Sequence, residues 1–132
     1  MNLFEYHLRT GEEGFYNITG QVQDALAKSE IRSGICVVYT PHTTSAVTIN
    51  ENADPDVKID LLKGLSNTYP DLSLYRHIEG NSAAHLKSSC IGCSEIVIVE
   101  KGKLLLGRWQ GIYFCEFDGP RDRCFFVKVV EG

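Results

Sequence analysis

Residues 75–87, Tyr-Arg-His-Ile-Glu-Gly-Asn-Ser-Ala-Ala-His-Leu-Lys, gather His77, Glu79, Asn81, His85 and Lys87 around Gly80. Imidazole, carboxylate, amide and ammonium groups at this density can bind a metal, move a proton or hold an anion. Asn81 ahead of Ser-Ala-Ala-His-Leu-Lys has the form of a helix N-cap, whose side chain accepts from the free N–H groups of the first turn. Tyr75 to Glu79 reads as an extended run with residues 75, 77 and 79 on one face. His77 and Glu79 are then expected to point together towards a helix start, which favours anions and carries His85. The same residues also fit a surface loop with two ordinary histidines.

Three further groups of residues have chemistry available. His42 follows Pro41 in a strand break and is flanked by Thr43, Thr44 and Ser45, where it can act as a base, as a metal ligand or as a structural group. Asn50-Glu51-Asn52 precedes Asp54 and Asp56; the two aspartates suit a helix start, whereas Glu51 lies ahead of the cap. Arg121 and Arg123 flank the turn after Gly119-Pro120 and can clamp a phosphate, since a guanidinium matches its oxygens bidentately, or can sit in a solvated hairpin tip. His42, His77 and His85 all fall in breaks or caps, and three imidazoles with an open fourth position are one way of holding a catalytic Zn²⁺.

The elements that must position these groups follow from periodicity. Phe4, Tyr6 and Leu8 alternate with Glu5, His7 and Arg9, the pattern of a half-buried strand. A short extended Phe-Tyr-Asn-Ile follows, then a helix over 20–30 capped by Thr19 and carrying Val22, Ala25 and Leu26 at helical spacing. Ile35 to Thr40 is a continuous apolar run, expected as a central strand buried on both faces. Residues 45–50 resume alternation. Asp54 and Pro55 open a second helix, with Val57, Leu61, Leu62 and Leu65 as its buried stripe. From Ser94 onward the pattern is all strand, with Gly107 and Gly111 expected to mark a bulge or a close backbone approach around Arg108, Trp109 and Gln110 within one long strand.

The chain has 132 residues, 43% of them hydrophobic and 23% charged, enough for one globular domain over 1–132 with its own core. A net charge of −4 argues against nucleic-acid binding through bulk electrostatics. No apolar run approaches the roughly 20 residues that cross a bilayer, so no membrane association is expected. The N-terminal residues lack a basic segment followed by an apolar block, which leaves a cytoplasmic protein as the expectation. Five cysteines, with Cys90-Ile-Gly-Cys93 the only C-x-x-C pair, fit reduced thiols that serve as small packing residues.

Taken together, TPHTTSAVTINENADPDV (40–57), YRHIEGNSAAHLK (75–87) and GRWQGIYFCEFDGPRDR (107–123) resemble the YjbQ-like family of the secondary thiamine-phosphate synthase type, in the same order and over essentially the whole chain. The resemblance implies an α+β fold, a mainly antiparallel two-sheet β-sandwich-like domain with two or three helices, associating as a homotrimer. It implies a site at the positions of His42, Glu51, Asn52, His77, Glu79, Asn81, His85 and Arg121. It also implies a reaction that joins hydroxymethylpyrimidine diphosphate to thiazole phosphate and releases diphosphate. On this reading His42, Glu51, Glu79 and His85 are catalytic, while Asn52, Asn81, Lys87 and Arg121 bind a phosphorylated small-molecule substrate. His42, His77 and His85 hold a divalent metal, Zn or Mg. The alternative is a non-catalytic metal- or anion-binding protein that uses the same pocket in sensing or regulation. Two positions depart from the family pattern: Ala83 stands where an acidic residue is usual, and Arg108 adds a cation beside Trp109.

Overall fold

The alternation over residues 3–9 forms strand β1 (Leu3–Arg9), and the remaining elements follow in a computed structural model that describes residues 2–132. They are β2 (Gly14–Asn17), α1 (Thr19–Ser29), β3 (Gly34–Tyr39), β4 (Ser45–Glu51), α2 (Pro55–Thr68), α3 (Ser82–Ile91), β5 (Ser94–Glu100), β6 (Lys103–Leu104), β7 (Gln110–Glu116) and β8 (Asp122–Glu131). A five-stranded antiparallel sheet has the order β1-β8-β3-β5-β6, and a three-stranded one the order β2-β7-β4. The chain is therefore an α+β domain with two antiparallel sheets and three helices. No helix among the described residues is long and apolar enough to cross a membrane.

The main core lies between the inner face of the large sheet, helix α1 and the small sheet. Cys36, Val38, Val97, Val99, Phe125, Val127 and Val129 meet Val22, Ala25 and Leu26 of α1 and Val47, Ile112 and Phe114 of the small sheet. A second cluster of Phe15, Ala46, Ala84, Tyr113, Cys115 and Phe117 sits on the other side of the small sheet, under α2 and α3.

Several local expectations are corrected. Strand β3 is central, yet only Cys36 and Val38 are buried, while Ile35 and Tyr39 are exposed. A central place in the sheet satisfies the strand's hydrogen bonds on both edges, but nothing in one chain covers its outer face. Thr19 is the first residue of α1 and not its cap: its hydroxyl accepts from the Ile112 N–H, and its own N–H donates to Asn17 Oδ1. Asp54 and Pro55 do open α2, with the Asp54 carboxylate accepting from the Asp56 N–H at 2.9 Å. The apolar stripe of α2 is only half-buried. Residues 105–109 form the crossing from one sheet to the other and not a bulge within one strand. The turn is closed by Gly107 N–H donating to Gln110 Oε1 at 2.7 Å and by Asn52 N–H donating to the Trp109 carbonyl.

Gly34 shows what the close packing of β3 on β8 demands. Its φ is +151°, and a Cβ there would lie 1.9 Å from the Val130 carbonyl oxygen. Backbone oxygen cannot swing aside as a side chain can. Gly34→Ala is therefore expected to cost at least about 2 kcal/mol, read as a lower urea midpoint at unchanged m. A midpoint equal to wild type would contradict this account of the β3–β8 contact.

Candidate functional site

Pro41 ends β3 while β8 continues past it, and this mismatch builds the floor of the site. Tyr39 pairs with Phe126, so the same register would set Pro41 against Cys124. The chain leaves the sheet there, and the Cys124 N–H donates to His42 Nε2 at 3.0 Å. The imidazole thus replaces a missing strand partner. A neutral imidazole has one lone pair; with Nε2 accepting, Nδ1 carries the proton and is the nitrogen left for a ligand. Burial and the nearby Arg123 guanidinium both push the His42 pKa below its ordinary value, which keeps the ring neutral.

His77 and Glu79 reach the same place by a turn and not along an extended run. Gly80 N–H donates to the His77 carbonyl at 3.2 Å, and Gly80 adopts φ +73°, where glycine carries no side-chain penalty. His77 Nε2 stands 4.0 Å from Glu79 Oε1, and its ring is 5.3 Å from that of His85, edge to face. Ile78, between them, is 99% exposed.

Asn81 occupies the N-cap position of α3, but its side chain makes no capping bond among the described residues. Its Nδ2 donates to Asp118 Oδ2 at 2.8 Å, and its Oδ1 is buried without a partner among the described residues. The Asp71 carboxylate accepts from the Ala83 N–H in its place. Asp118 also accepts from Arg121, whose Nε bonds its carbonyl and whose Nη2 bonds its carboxylate at 2.8 Å.

Behind these groups lies a fully buried ion pair. Glu116 Oε1 accepts from Thr10 and from Arg123 Nε, its Oε2 accepts from the Asp118 N–H, and Arg123 Nη2 reaches both Glu116 and Thr44. Burial pushes the Glu116 carboxyl up, but the hydrogen bonds from Arg123, Thr10 and Asp118 outweigh it and hold the pKa below the usual range. For Asp118, desolvation is likewise outweighed, by Asn81 and Arg121. A carboxyl held low in the folded state contributes stability that is complete above its unfolded pKa and is lost as pH falls through the folded value. His42, also lowered, acts in the same direction: the unfolded chain takes up that proton first, from about pH 6.5 downward. Urea midpoints measured at pH 7, 5.5 and 4 should therefore decline in that order. A midpoint unchanged from pH 7 to pH 4 would contradict the His42 assignment, and one unchanged as the pH falls further would contradict those of Glu116 and Asp118.

His42, His77, His85, Thr43, Thr44, Glu79, Asn81, Arg121 and Arg123 line one polar cavity of about 260 Å³. Three residues of the sequence-derived set stand elsewhere. Glu51 and Asn52 lie at the far end of β4, roughly 20 Å of strand from Ser45. Glu51 borders a separate cavity with Trp109 and Gln110, and Asn52 Oδ1 accepts from Asn17 Nδ2. Lys87 is buried on the other face of α3, with Nζ 2.8 Å from Glu13. Conversely, Asp118, which holds both Asn81 and Arg121, was not singled out from sequence. Its signal was its place two residues after Glu116 and just before Gly119-Pro120-Arg121.

The donor set does not fit a three-imidazole metal centre. Among the described residues no three His, Cys, Asp or Glu side chains converge as a ligand set, and the His42 lone pair is engaged by the Cys124 N–H. The arrangement instead offers N–H and O–H donors around a small polar volume, with the Glu79 carboxylate on its lining.

Comparison with known proteins places this architecture. A UPF0047 protein of Methanocaldococcus jannaschii is 50% identical over 129 residues, covering 97% of this chain and 94% of that protein. The UPF0047 protein YugU of Bacillus subtilis is 53% identical over 122 residues, covering 92% of each. Among solved structures, an uncharacterised yjbq/upf0047 family protein of Clostridium acetobutylicum superposes with a TM-score of 0.94 at 52% identity, covering 96% of this chain and 99% of that one. A protein of unknown function from Sulfolobus solfataricus gives the same TM-score at 30% identity, covering 98% and 96%. Residues 4–132 match the sequence model described as UPF0047 protein YjbQ-like, and the chain belongs to that family.

Proposed function

We propose that the protein is an enzyme acting on a phosphorylated small molecule, with transfer of the thiamine-phosphate synthase type as the specific reaction. The observation that carries this reading is the 260 Å³ polar cavity, in which three imidazoles, Arg121, two threonines and Asn81 surround a volume suited to a phosphate or diphosphate. In that reaction the thiazole nitrogen bonds to the methylene carbon of the pyrimidine as the bond from that carbon to the diphosphate oxygen breaks. The barrier falls when donors stabilise the charge that collects on the leaving diphosphate. His42, donating from Nδ1, and the Arg121 guanidinium are in place to do so.

The test is turnover: purified protein is incubated with hydroxymethylpyrimidine diphosphate and thiazole phosphate, and released diphosphate is followed. Formation of thiamine phosphate in step with diphosphate supports the reading, and release no faster than in the absence of protein rejects it. One observation favours the second reading, a non-catalytic anion-binding protein. Arg121 and Arg123 are each already paired with a carboxylate, which leaves recognition to hydrogen bonds more than to charge.

The reading includes a homotrimer in the cytoplasm. The outer face of the large sheet supports self-association, because the register places Ile35 between Ile98 and Val130, and Val37 beside Ile96. Ile96 and Ile98 are 60% and 54% exposed. A contiguous apolar face of this kind marks an interaction surface. Light scattering at micromolar concentration should return three chain masses, and Ile96→Lys with Ile98→Lys should return one.

A further inference from the structure

A second cavity, of about 450 Å³, adjoins the polar one and shares His42, Thr43 and His85 with it. Its other lining residues are Ser45, Ser88, Ser89, Gly92 and Cys93. His85, Ser88, Ser89 and Gly92 fall at helical spacing along α3 and its end, so one face of that helix forms a wall. A neighbouring face, with Ala84 and Ile91, packs on the small sheet. The C-terminal end of the wall is fixed, since the Val47 N–H donates to the Gly92 carbonyl and the Thr40 N–H to the Cys93 carbonyl.

Small side chains alone would make only a void. The Ser88 hydroxyl gives this one a direction. Ser88 is 8% exposed, and its Oγ is buried without a hydrogen-bond partner among the described residues. A helical serine can return its hydroxyl to the carbonyl one turn back, and this one does not. The Ser45 hydroxyl, on the other wall, is already bonded to Thr40 at 2.7 Å. An unpaired buried hydroxyl is costly unless something meets it.

We propose that this cavity is the subsite for the uncharged organic part of the ligand, a compact heteroaromatic ring whose nitrogen or hydroxyl pairs with Ser88 Oγ. The ligand's phosphate then lies in the polar cavity, and His42 and His85 stand at the junction where the two parts are joined. A volume of this size is within the range of small-molecule sites, and one polar group in a wall of small residues is enough to orient a ring. The proposal rests on the phosphorylated-ligand reading for the phosphate half only.

The test uses the full chain and two separate probes, 3-pyridylmethanol for the ring and inorganic phosphate for the anion, each titrated by ligand-detected NMR. Ser89→Leu, on an exposed helical position, fills the cavity and should abolish pyridylmethanol binding while leaving phosphate affinity within about twofold. Ser88→Ala should weaken pyridylmethanol binding about tenfold, the scale of one hydrogen bond, with no fall in melting temperature. Pyridylmethyl phosphate should bind more tightly than either probe alone. Pyridylmethanol binding that is absent, or equal in wild type and both variants, overturns the subsite. Ring binding that is sensitive to both variants, without any phosphate binding, keeps the subsite and rejects the phosphorylated ligand. If neither probe binds, both fall.

Discussion

Glu116→Ala is expected to lower the stability of the folded chain by about 3–5 kcal/mol, the scale of removing one partner from a buried ion pair. Glu116 is fully buried and accepts from Thr10, Arg123 and the Asp118 N–H. Without its carboxylate, the Arg123 guanidinium stays charged, buried and short of its main partner. The cost is therefore that of an uncompensated cation, not that of one lost bond. Replacing both partners, as in Glu116→Leu with Arg123→Met, should recover most of the loss, because the desolvation of both charges disappears together. Denaturant unfolding of the single and double variants measures this directly. A single-variant loss below about 1 kcal/mol would mean that solvent reaches the pair. Arg123 also holds Thr44 at 2.9 Å, so Glu116→Ala should loosen the segment that carries His42 and weaken ligand binding as a second effect.

His85→Ala should have the opposite profile. His85 is half-buried in the second turn of α3 and borders both cavities. Alanine is the best helix former, and no hydrogen bond within the fold depends on this ring among the described residues. Stability should change by less than about 0.5 kcal/mol. Turnover of the proposed substrates should fall on the order of 100-fold or more, the scale of losing a group that moves a proton or stabilises developing charge. A variant that unfolds more easily while it turns over substrate normally would identify His85 as a structural group.

The sequence by itself determined much of the framework. Alternation of Phe4, Tyr6 and Leu8 with polar residues forms β1, Asp54-Pro55 opens α2, and the apolar run at 35–40 lies in the middle of the large sheet. These are local effects of side-chain period and backbone chemistry, and neighbouring residues carry them. The crossing at 105–109 was not legible, because Gly107 and Gly111 permit a bulge and a change of sheet equally well. The open outer face of β3 was not legible either. Apolar composition records that a residue will be covered, not whether its own chain does the covering.

The site divides along the same line. The sequence named the groups with chemistry to offer, but only the tertiary structure decided which of them stand together. His42 depends on β8 outrunning β3, so that a backbone N–H takes the lone pair on which the three-histidine metal expectation relied. Asn81 turns from its cap to Asp118, 37 positions away. Lys87 is two positions on from His85, about half a turn round the helix, and is drawn to Glu13, 74 positions away. Glu51 and Asn52 are close to His42 in sequence, but an extended strand carries them away from it at about 3.3 Å per residue. Spacing along a chain becomes distance only through the element that spans it, and the partner that claims a polar group is chosen by contacts remote in sequence.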